Sequence, residues 1–348
     1  MPEPLSSAPA PDLDTRRVVA ALLAEAGVEV GADALVFEPV AGGVSAELWR
    51  VRSGEASWCV KRPRERLRTE RLWRAPRARA GNEVRWLAAA RAVEPELVPA
   101  VLGYDATHEL FVMADHPPPA WVPWKTQLLA GAVDETVARA LGAAVGRVHA
   151  ATALRPELAE RFPDRLFQSL RVEPFFRALA PVHPDLAPVL EAREALLRSG
   201  PRALVHGDVS PKNVLVGPGG RILLLDAECA CWGLPAFDAA FPVHHLLLKG
   251  ALRPERLAAC CAAAGALLDA WHDHAGPAAG DDADERIAAL VPLLLLARVD
   301  GTSPVDYLDA PTAARVRSFA RTQLRRPPPG GTAQLLERWE RALGPLDP

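Results

Sequence analysis

A chain of 348 residues, of which 49% are hydrophobic, is long enough to bury a large core and to form two domains or lobes. Its formal net charge of −3 gives no excess of positive charge, so nucleic acid is not expected as a partner. The five cysteines follow no regular spacing, which favours reduced, buried thiols over a disulfide framework or a metal site.

The N-terminal stretch, residues 1–14, is rich in Pro, Ala and Ser and has neither a basic start nor an apolar core. It is therefore expected to be a disordered tail and not a secretory signal. Asp14 is expected to cap a helix that stops at Gly27, where a left-handed residue ends helices favourably. After Gly27 the pattern changes to short strands.

Residues 15–115 are expected to form a small β-rich lobe. Five segments have strand character and are joined by turns or by one helix: residues 35–40, 46–52, 57–61, 97–102 and 109–113. The helix is expected at about residues 80–91. Three consecutive prolines at residues 117–119 cannot lie in a helix or in a central strand, so the lobe is expected to end at residue 115.

Residues 116–348 have a mainly helical pattern. Helices are expected at residues 125–129, 134–150 and 188–198 and again after Phe237. One hairpin interrupts them, with strands at residues 214–216 and 222–225 joined by a glycine-rich turn. The longest apolar run, residues 287–297, is shorter than the roughly 20 residues that a membrane helix needs, so a buried helix is expected there.

The most informative segment is residues 205–213, which read Val-His-Gly-Asp-Val-Ser-Pro-Lys-Asn. Asp208 precedes Asn213 by five residues, and Asp226 ends an apolar run further along the chain. ATP-dependent kinases use this arrangement to place a hydroxyl and Mg²⁺ around a γ-phosphate. Asp208 would orient the attacking hydroxyl, and Asn213 and Asp226 would bind the metal. Glu228 is either a second metal ligand or a solvated neighbour.

Residues for the nucleotide are expected in the first lobe. Lys61 ends a predicted strand and would contact the α and β phosphates of ATP, while Glu83 on the next helix would pair with it. Gly42, Gly43 and Ser45 lie in a turn whose backbone N–H groups could approach phosphate. A tight hairpin turn is the alternative, because a full Gly-x-Gly-x-x-Gly motif is missing.

The segment where the two lobes are expected to join contains Met113, Ala114 and Asp115. Its backbone would face the adenine edge while the Met113 side chain packs on the ring. A simple linker is the alternative. A mostly β lobe before a mostly α lobe, with the Asp208 motif beside an isolated hairpin, predicts an α+β, bilobal protein-kinase-like fold. Its small β-rich N-lobe binds the nucleotide, and its larger, mainly α-helical C-lobe carries catalysis and the acceptor.

The motifs at residues 206–213 and 226–228 resemble those of the aminoglycoside phosphotransferase and choline kinase superfamily. The chain is more closely similar to methylthioribose kinases, which share the Asp-x-Glu pair and the form His-Gly-Asp-x-Ser-Pro-Lys-Asn. Asp-Ala-Glu replaces the Asp-Phe-Gly of protein kinases, and this disfavours protein substrates. The resemblance implies ATP and Mg²⁺ as cofactors and a small hydroxylated acceptor.

The same resemblance suggests where the acceptor is held. Arginines near the C-terminus help to hold the sugar in methylthioribose kinases, and Arg325 and Arg326 are candidate counterparts. Arg171 lies in a further similar segment, residues 170–175. Arg298 follows the predicted buried helix. These four arginines are the candidates for acceptor binding.

The sequence therefore predicts a cytoplasmic, ATP-dependent kinase that moves the γ-phosphate to a hydroxyl of a neutral, sugar-like or polyol acceptor, without a membrane or nucleic-acid partner. An aminoglycoside phosphotransferase is the alternative, but its polycationic acceptor would need an acidic pocket, for which the acids at residues 269–285 are candidates. A nucleotide-binding regulator without catalysis is less favoured, because Asp208, Asn213 and Asp226 are all present.

Overall fold

The computed structural model describes residues 9–40, 45–65 and 76–344. Within these residues the chain divides between Ala120 and Trp121 into two compact units. The first unit thus includes the three prolines at residues 117–119. The first unit is built around one sheet and the second is mainly helical, which confirms the predicted α+β class.

The first unit contains two helices and an antiparallel five-stranded sheet. Its elements are α1 (Leu13–Glu25), β1 (Val36–Pro39), β2 (Ala46–Ser53), β3 (Ala56–Pro63), α2 (Arg79–Val93), β4 (Val101–Asp105) and β5 (Leu110–Ala114). The strand order is β1-β2-β3-β5-β4. Trp49 and Val51 on β2 and Val60 on β3 point into the core, because alternate residues of a strand face the same side. This alternation buries one face of the sheet against α1.

Two boundaries in the first unit differ from the sequence predictions. The cap of α1 is Asp12 and not Asp14, since Oδ1 of Asp12 accepts a hydrogen bond from the Thr15 amide at 2.8 Å. Both aspartates are suitable caps, and the earlier one starts the helix, which leaves Asp14 in the first turn where a negative charge is also favourable. The fourth strand begins at Val101 and not at residue 97.

The second unit contains eleven helices and five short strands among its described residues. The helices are α3 (Trp124–Leu129), α4 (Glu135–Thr152), α5 (Leu158–Arg161), α6 (Arg165–Phe167), α7 (Glu173–Phe175), α8 (Ala187–Leu196), α9 (Pro235–Leu252), α10 (Leu257–Ala275), α11 (Ala283–Asp300), α12 (Ala310–Arg325) and α13 (Gly331–Leu343). The strands are β6 (Val122–Pro123), β7 (Ala203–Val205), β8 (Val214–Val216), β9 (Ile222–Leu224) and β10 (Cys231–Gly233). The predicted hairpin is β8 and β9. It is joined by β6, and β7 pairs separately with β10.

Close packing of α4 against α10 organises the helical core. A Cβ atom at Gly142 would clash with the carbonyl oxygen of Leu267, and one at Gly146 would lie 2.9 Å from that of Trp271. The two helices can approach this closely only because glycine has no side chain. No helix in the described ranges is both long enough and apolar enough to cross a membrane.

Candidate active site

The loop that follows β7 is held by one buried carboxylate. Asp238, in the first turn of α9, accepts hydrogen bonds from the amide of His206 at 2.6 Å and from the amide of Gly207 at 2.8 Å. Gly207 has a φ of +78°, and a Cβ atom there would lie 3.0 Å from Cβ of Cys229. Glycine therefore allows both the left-handed turn and the close approach. Asp238 and Gly207 together aim the next residue, Asp208.

A buried chain of hydrogen bonds supports Asp238 from behind. His149 on α4 lies with Nε2 3.2 Å from Oδ2 of Asp238. Trp271 on α10 donates from Nε1 to Nδ1 of His149 at 3.0 Å. Because the indole can only donate, Nδ1 accepts, and Nε2 carries the proton that it donates to Asp238. Three helices thus fix the position of the loop.

Asp208 is a buried carboxylate that three donors reach at the same oxygen. Nη2 of Arg171 lies 2.8 Å, Nδ2 of Asn213 2.9 Å and Nζ of Lys212 3.2 Å from Oδ2. Oδ1 accepts no hydrogen bond from the residues that the structure describes. Burial by itself raises the pKa of Asp208, but Arg171 and Lys212 outweigh it and hold the pKa below its usual range. The carboxylate is therefore ionised and presents one oxygen for a ligand.

Arg171 and Asn213 are themselves fixed to the loop. Nε of Arg171 donates to the carbonyl oxygen of Gly207 at 2.7 Å, and its Nη1 donates to that of Leu170 at 2.6 Å. Nδ2 of Asn213 also donates to the carbonyl oxygen of Asp208 at 3.0 Å, which orients the amide so that Oδ1 is left without a donor in the described part of the chain. Arg171, predicted to bind the acceptor, thus lies against Asp208.

Asp226 follows β9 in a left-handed conformation, with a φ of +67°. Such a conformation is uncommon for a residue other than glycine and is typical of functional sites. Nζ of Lys212 lies 4.0 Å from Oδ2 of Asp226, so this half-exposed lysine stands between two carboxylates. The charge of Asp208 raises the pKa of Lys212. The sequence had given Lys212 no role, although its i, i+4 spacing from Asp208 was a usable signal.

The predicted metal ligands supply oxygen atoms of the kind that Mg²⁺ prefers. Asp226 is partly exposed, Glu228 is buried, and Asn213 offers its Oδ1. Across the described ranges, no three His, Cys, Asp or Glu side chains converge on a ready-made metal site. The ligand set therefore suits an ion held by few protein oxygens, with the remaining positions left to phosphate and water.

In the first unit, Lys61 and Glu83 form a buried ion pair. Nζ of Lys61, on β3, lies 2.7 Å from Oε2 and 2.9 Å from Oε1 of Glu83, on α2. The carbonyl oxygen of Ser45 accepts a hydrogen bond from Arg79 at 2.6 Å. Gly42 and Gly43, predicted to approach phosphate, lie outside the described residues.

The segment predicted to contact adenine is engaged within the first unit. The amide of Ala114 donates to the carbonyl oxygen of Ala100 at 2.8 Å. Oδ2 of Asp115 accepts a hydrogen bond from Nε of Arg50 at 2.6 Å, and Met113 is buried. The Ala114 amide is thus already used, and an adenine contact here has to involve other groups.

The remaining candidate arginines fall into two places. Arg298 lies with Cζ 5.9 Å from the ring centroid of Phe175, the same distance as Cζ of Arg171 on that ring. Arg325 forms an exposed ion pair with Asp185, and Arg326 is exposed after the end of α12. The structure therefore groups Arg298, but not Arg325 or Arg326, with the side chains around Asp208.

A β-rich unit with a buried Lys-Glu pair, followed by a helical unit with this loop, defines the kinase-like fold. The structure of a choline/ethanolamine kinase family protein from Mesorhizobium loti matches with a TM-score of 0.52 and 19% identity, over 94% of this chain and 99% of that chain. A macrolide 2'-phosphotransferase from Brachybacterium faecium matches with a TM-score of 0.47 and 19% identity, over 96% and 99%. A choline kinase from Streptococcus pneumoniae matches with a TM-score of 0.48 and 13% identity, over 95% and 99%.

Residues 36–248 match the model of the phosphotransferase enzyme family, and the chain belongs to that family. No curated protein matches it. Family membership confirms the predicted superfamily and the predicted enzyme class, a phosphotransferase with an alcohol group as acceptor. The closer resemblance to methylthioribose kinases stays a prediction.

Proposed function

We propose that this protein transfers the γ-phosphate of ATP to a hydroxyl of a small, sugar-like or polyol acceptor. The observation that carries the proposal is the carboxylate of Asp208, with three donors on Oδ2 and none from the described residues on Oδ1. The oxygen Oδ1 is thus positioned to accept a hydrogen bond from the acceptor hydroxyl and to align its oxygen with the phosphorus atom.

The low pKa of Asp208 fits this role. Arg171 and Lys212 keep the group ionised against the effect of burial, so it is a weak base. Phosphoryl transfer proceeds through a loose transition state, in which the orientation of the hydroxyl matters more than its early deprotonation. Asp208 orients the hydroxyl first and takes its proton as the new O–P bond forms.

The cofactor-binding residues are assigned from chemistry and from their supports. Oδ1 of Asn213 and the carboxylate of Asp226 would hold Mg²⁺, with Glu228 close in sequence as a further oxygen donor. Mg²⁺ bound there would neutralise charge on the phosphates. In the first unit, Glu83 holds Nζ of Lys61 in one direction, which suits a contact with the α and β phosphates of ATP. We assign nucleotide binding to residues 15–115 and catalysis and acceptor binding to residues 116–348.

An aminoglycoside acceptor is less well supported. Its positive charges need carboxylates, but the side chains grouped with Asp208 include the cations of Arg171 and Arg298. Two of the acids considered for an acidic pocket are engaged elsewhere: Asp282 pairs with Arg286, and the carboxylate of Asp284 accepts from Thr332. The cationic surroundings of Asp208 favour a neutral or negatively charged acceptor.

A coupled assay that measures ADP release in the presence of Mg²⁺ tests this proposal. It is run without an acceptor, to detect slow ATP hydrolysis, and then with a panel of acceptors. We expect Asp208→Asn to lower turnover by about a hundredfold or more while ATP binding, measured by calorimetry, is retained. Asp185→Asn is the control, because it makes the same chemical change at an exposed acid of the second unit. Wild-type turnover in Asp208→Asn contradicts the role of Asp208, and a wild-type protein that releases no ADP under any condition supports a regulator instead.

A further inference from the structure

Lys249, on the buried face of α9, is a lysine without an ion-pair partner among the described residues. The residue is 2% exposed, and no described residue forms a hydrogen bond or an ion pair with it. Its Nζ lies 3.7 Å from the centroid of the Tyr307 ring. Burying a charge without a partner costs much more than a ring contact returns. A structural role in packing would be served better by Leu or Met.

Two further polar groups beside Lys249 are also unsatisfied. Nε of Arg298 and the hydroxyl of Tyr307 are buried and have no hydrogen-bond partner among the residues that the structure describes. The amide of Val305 donates to the carbonyl oxygen of Arg298 at 2.9 Å, and Nη1 of Arg298 donates to Ser303. The segment after α11 therefore folds back on the helix end. Buried donors in native proteins are usually satisfied, so each of these groups calls for a partner such as water, an ion or a ligand.

The charges around Lys249 are mainly positive. His244 and His245 are titratable neighbours on α9 itself, and those on other segments include Lys125, Cys260, Arg298, Asp306 and Tyr307. Burial lowers the pKa of both histidines, so their imidazoles are neutral. Asp306 is exposed and forms no ion pair with Lys249 within the described ranges. Burial, with Lys125 and Arg298 adding to it, lowers the pKa of Lys249 to about 7.

This cationic cluster is linked to the proposed catalytic carboxylate within the same unit. The guanidinium groups of Arg298 and Arg171 lie over the same ring, Phe175, and Arg171 pairs with Asp208. Burial lowers the pKa of Arg298, while the negative charge of Asp208 acts in the opposite direction. Arg298 and Asp208 therefore interact electrostatically. An acceptor whose hydroxyl is bound at Asp208 would therefore lie near Arg171 and Arg298.

We propose that Lys249 and Arg298 form a subsite for an anionic group of the acceptor, a carboxylate or a phosphate, with the Tyr307 hydroxyl as a third donor. This inference rests on the proposed function, and it names the acceptor class as a hydroxy acid or a phosphorylated polyol. A bound anion supplies the missing counter-charge of Lys249 and the missing partners of Arg298 and Tyr307 in one step. It also replaces the neutral acceptor expected from the sequence.

Matched pairs of acceptors test the subsite by the ADP-release assay. Glycerol is compared with glycerate, and ribose is compared with ribonate and with ribose 5-phosphate, so that the carboxylate and phosphate arms are separate. We expect the anionic member of at least one pair to have a kcat/KM about ten- to a hundredfold higher, the effect of one charge-assisted hydrogen bond. Lys249→Met is expected to remove this preference.

The controls separate the subsite from the overall charge and from folding. Arg256→Met removes one exposed positive charge near the same helix end and is expected to keep the preference. If Lys249→Met does not fold, Arg298→Gln gives the same reading. Thermal stability in inorganic phosphate and in chloride, compared at equal ionic strength, tests the subsite without turnover. We expect phosphate to stabilise the wild-type protein more than chloride does, and this difference to be lost in either variant.

The outcomes are distinguishable. Two results would overturn the subsite and leave the proposed function standing, provided that transfer depends on Asp208. One is an equal kcat/KM for the neutral and anionic members of each pair. The other is a preference for the anionic member that is unchanged in Lys249→Met and Arg298→Gln. If no acceptor gives ADP release that depends on Asp208, the proposed function is overturned. If phosphate still stabilises the protein and this effect requires Lys249, the anion site remains.

Discussion

Nη2 of Arg171 lies 2.8 Å from Oδ2 of Asp208, and both side chains are buried. Burial raises the pKa of Asp208, and Arg171 is the largest of the charges that lower it. In Arg171→Met the carboxyl group is therefore expected to protonate at a higher pH. We expect kcat to fall and the acid limb of its pH profile to move to higher pH. Stopped assays from acid to neutral pH measure this, with Arg177→Met, which removes an exposed arginine, as the control. An unmoved acid limb contradicts the pairing as a determinant of ionisation.

The carboxylate of Asp238 accepts two backbone N–H groups, so its replacement tests the support of the loop. In Asp238→Asn one of the two oxygens becomes a donor, and a buried amide of His206 or Gly207 loses its partner. We expect the free energy of unfolding in urea to fall by about 1 to 3 kcal/mol, and kcat to fall with it. Asp134→Asn is the matched control, because either residue caps a helix well at that exposed position. If Asp134→Asn lowers the free energy of unfolding and kcat as much as Asp238→Asn does, the proposed support of the loop by Asp238 is contradicted.

The buried pair of Lys61 and Glu83 predicts strongly unequal single and double variants. Glu83→Gln removes the negative charge that lies 2.7 Å from Nζ of Lys61 and is expected to destabilise the protein by about 3 kcal/mol or more. Lys61→Met together with Glu83→Gln removes both charges and is expected to recover much of that loss. Equilibrium unfolding in guanidinium gives the coupling energy, and calorimetry gives the loss of ATP affinity. Additive single effects contradict a coupled pair.

The lowered pKa of Lys249 predicts a pH dependence of stability. Folded, the group titrates at about 7, whereas an ordinary lysine titrates at 10.5, so between these values the unfolded chain binds a proton that the folded protein lacks. Stability then rises with pH, by at most about 1.4 kcal/mol per pH unit from this residue. From about pH 7 to about pH 8.5, we expect the wild-type free energy of unfolding to rise more steeply than that of Lys249→Met. In the control Arg256→Met, the free energy of unfolding should rise with pH as steeply as in the wild-type protein. If it also rises as steeply in Lys249→Met, the result contradicts a buried, unpaired amine at Lys249.

The local features of the site followed from short stretches of sequence. Asp208 and Asn213 lie five residues apart in one loop, so their hydrogen bond needs only the local turn. Lys61 and Glu83 stand on the two elements that the sheet and helix patterns predicted. The cap of α1 and the start of β4 were misplaced by a few residues, because neighbouring residues satisfy the same end signal almost equally well.

Contacts between distant helices were not readable in this way. Asp238 had no predicted role, and its function became visible only because α9 places its carboxylate against the loop after β7. The sequence grouped Arg171 with Arg325 as acceptor ligands, but α12 carries Arg325 to Asp185 at an exposed position. A charged residue on one helix carries no local signal for the partner that it meets on a distant segment.

The sequence by itself determined the α+β class, the phosphotransferase motifs, the five strands of the first unit and the hairpin of β8 and β9, but not β6, β7 or β10. Turn residues, the alternation of apolar and polar residues, and motif spacing are local properties that can be read from neighbouring residues. Only the tertiary structure decided that Lys249 meets Tyr307 and forms no ion pair with a described carboxylate, and that Arg171 shares Phe175 with Arg298. Such pairings depend on how the apolar faces of the helices pack, and burial then sets which charges are left facing one another.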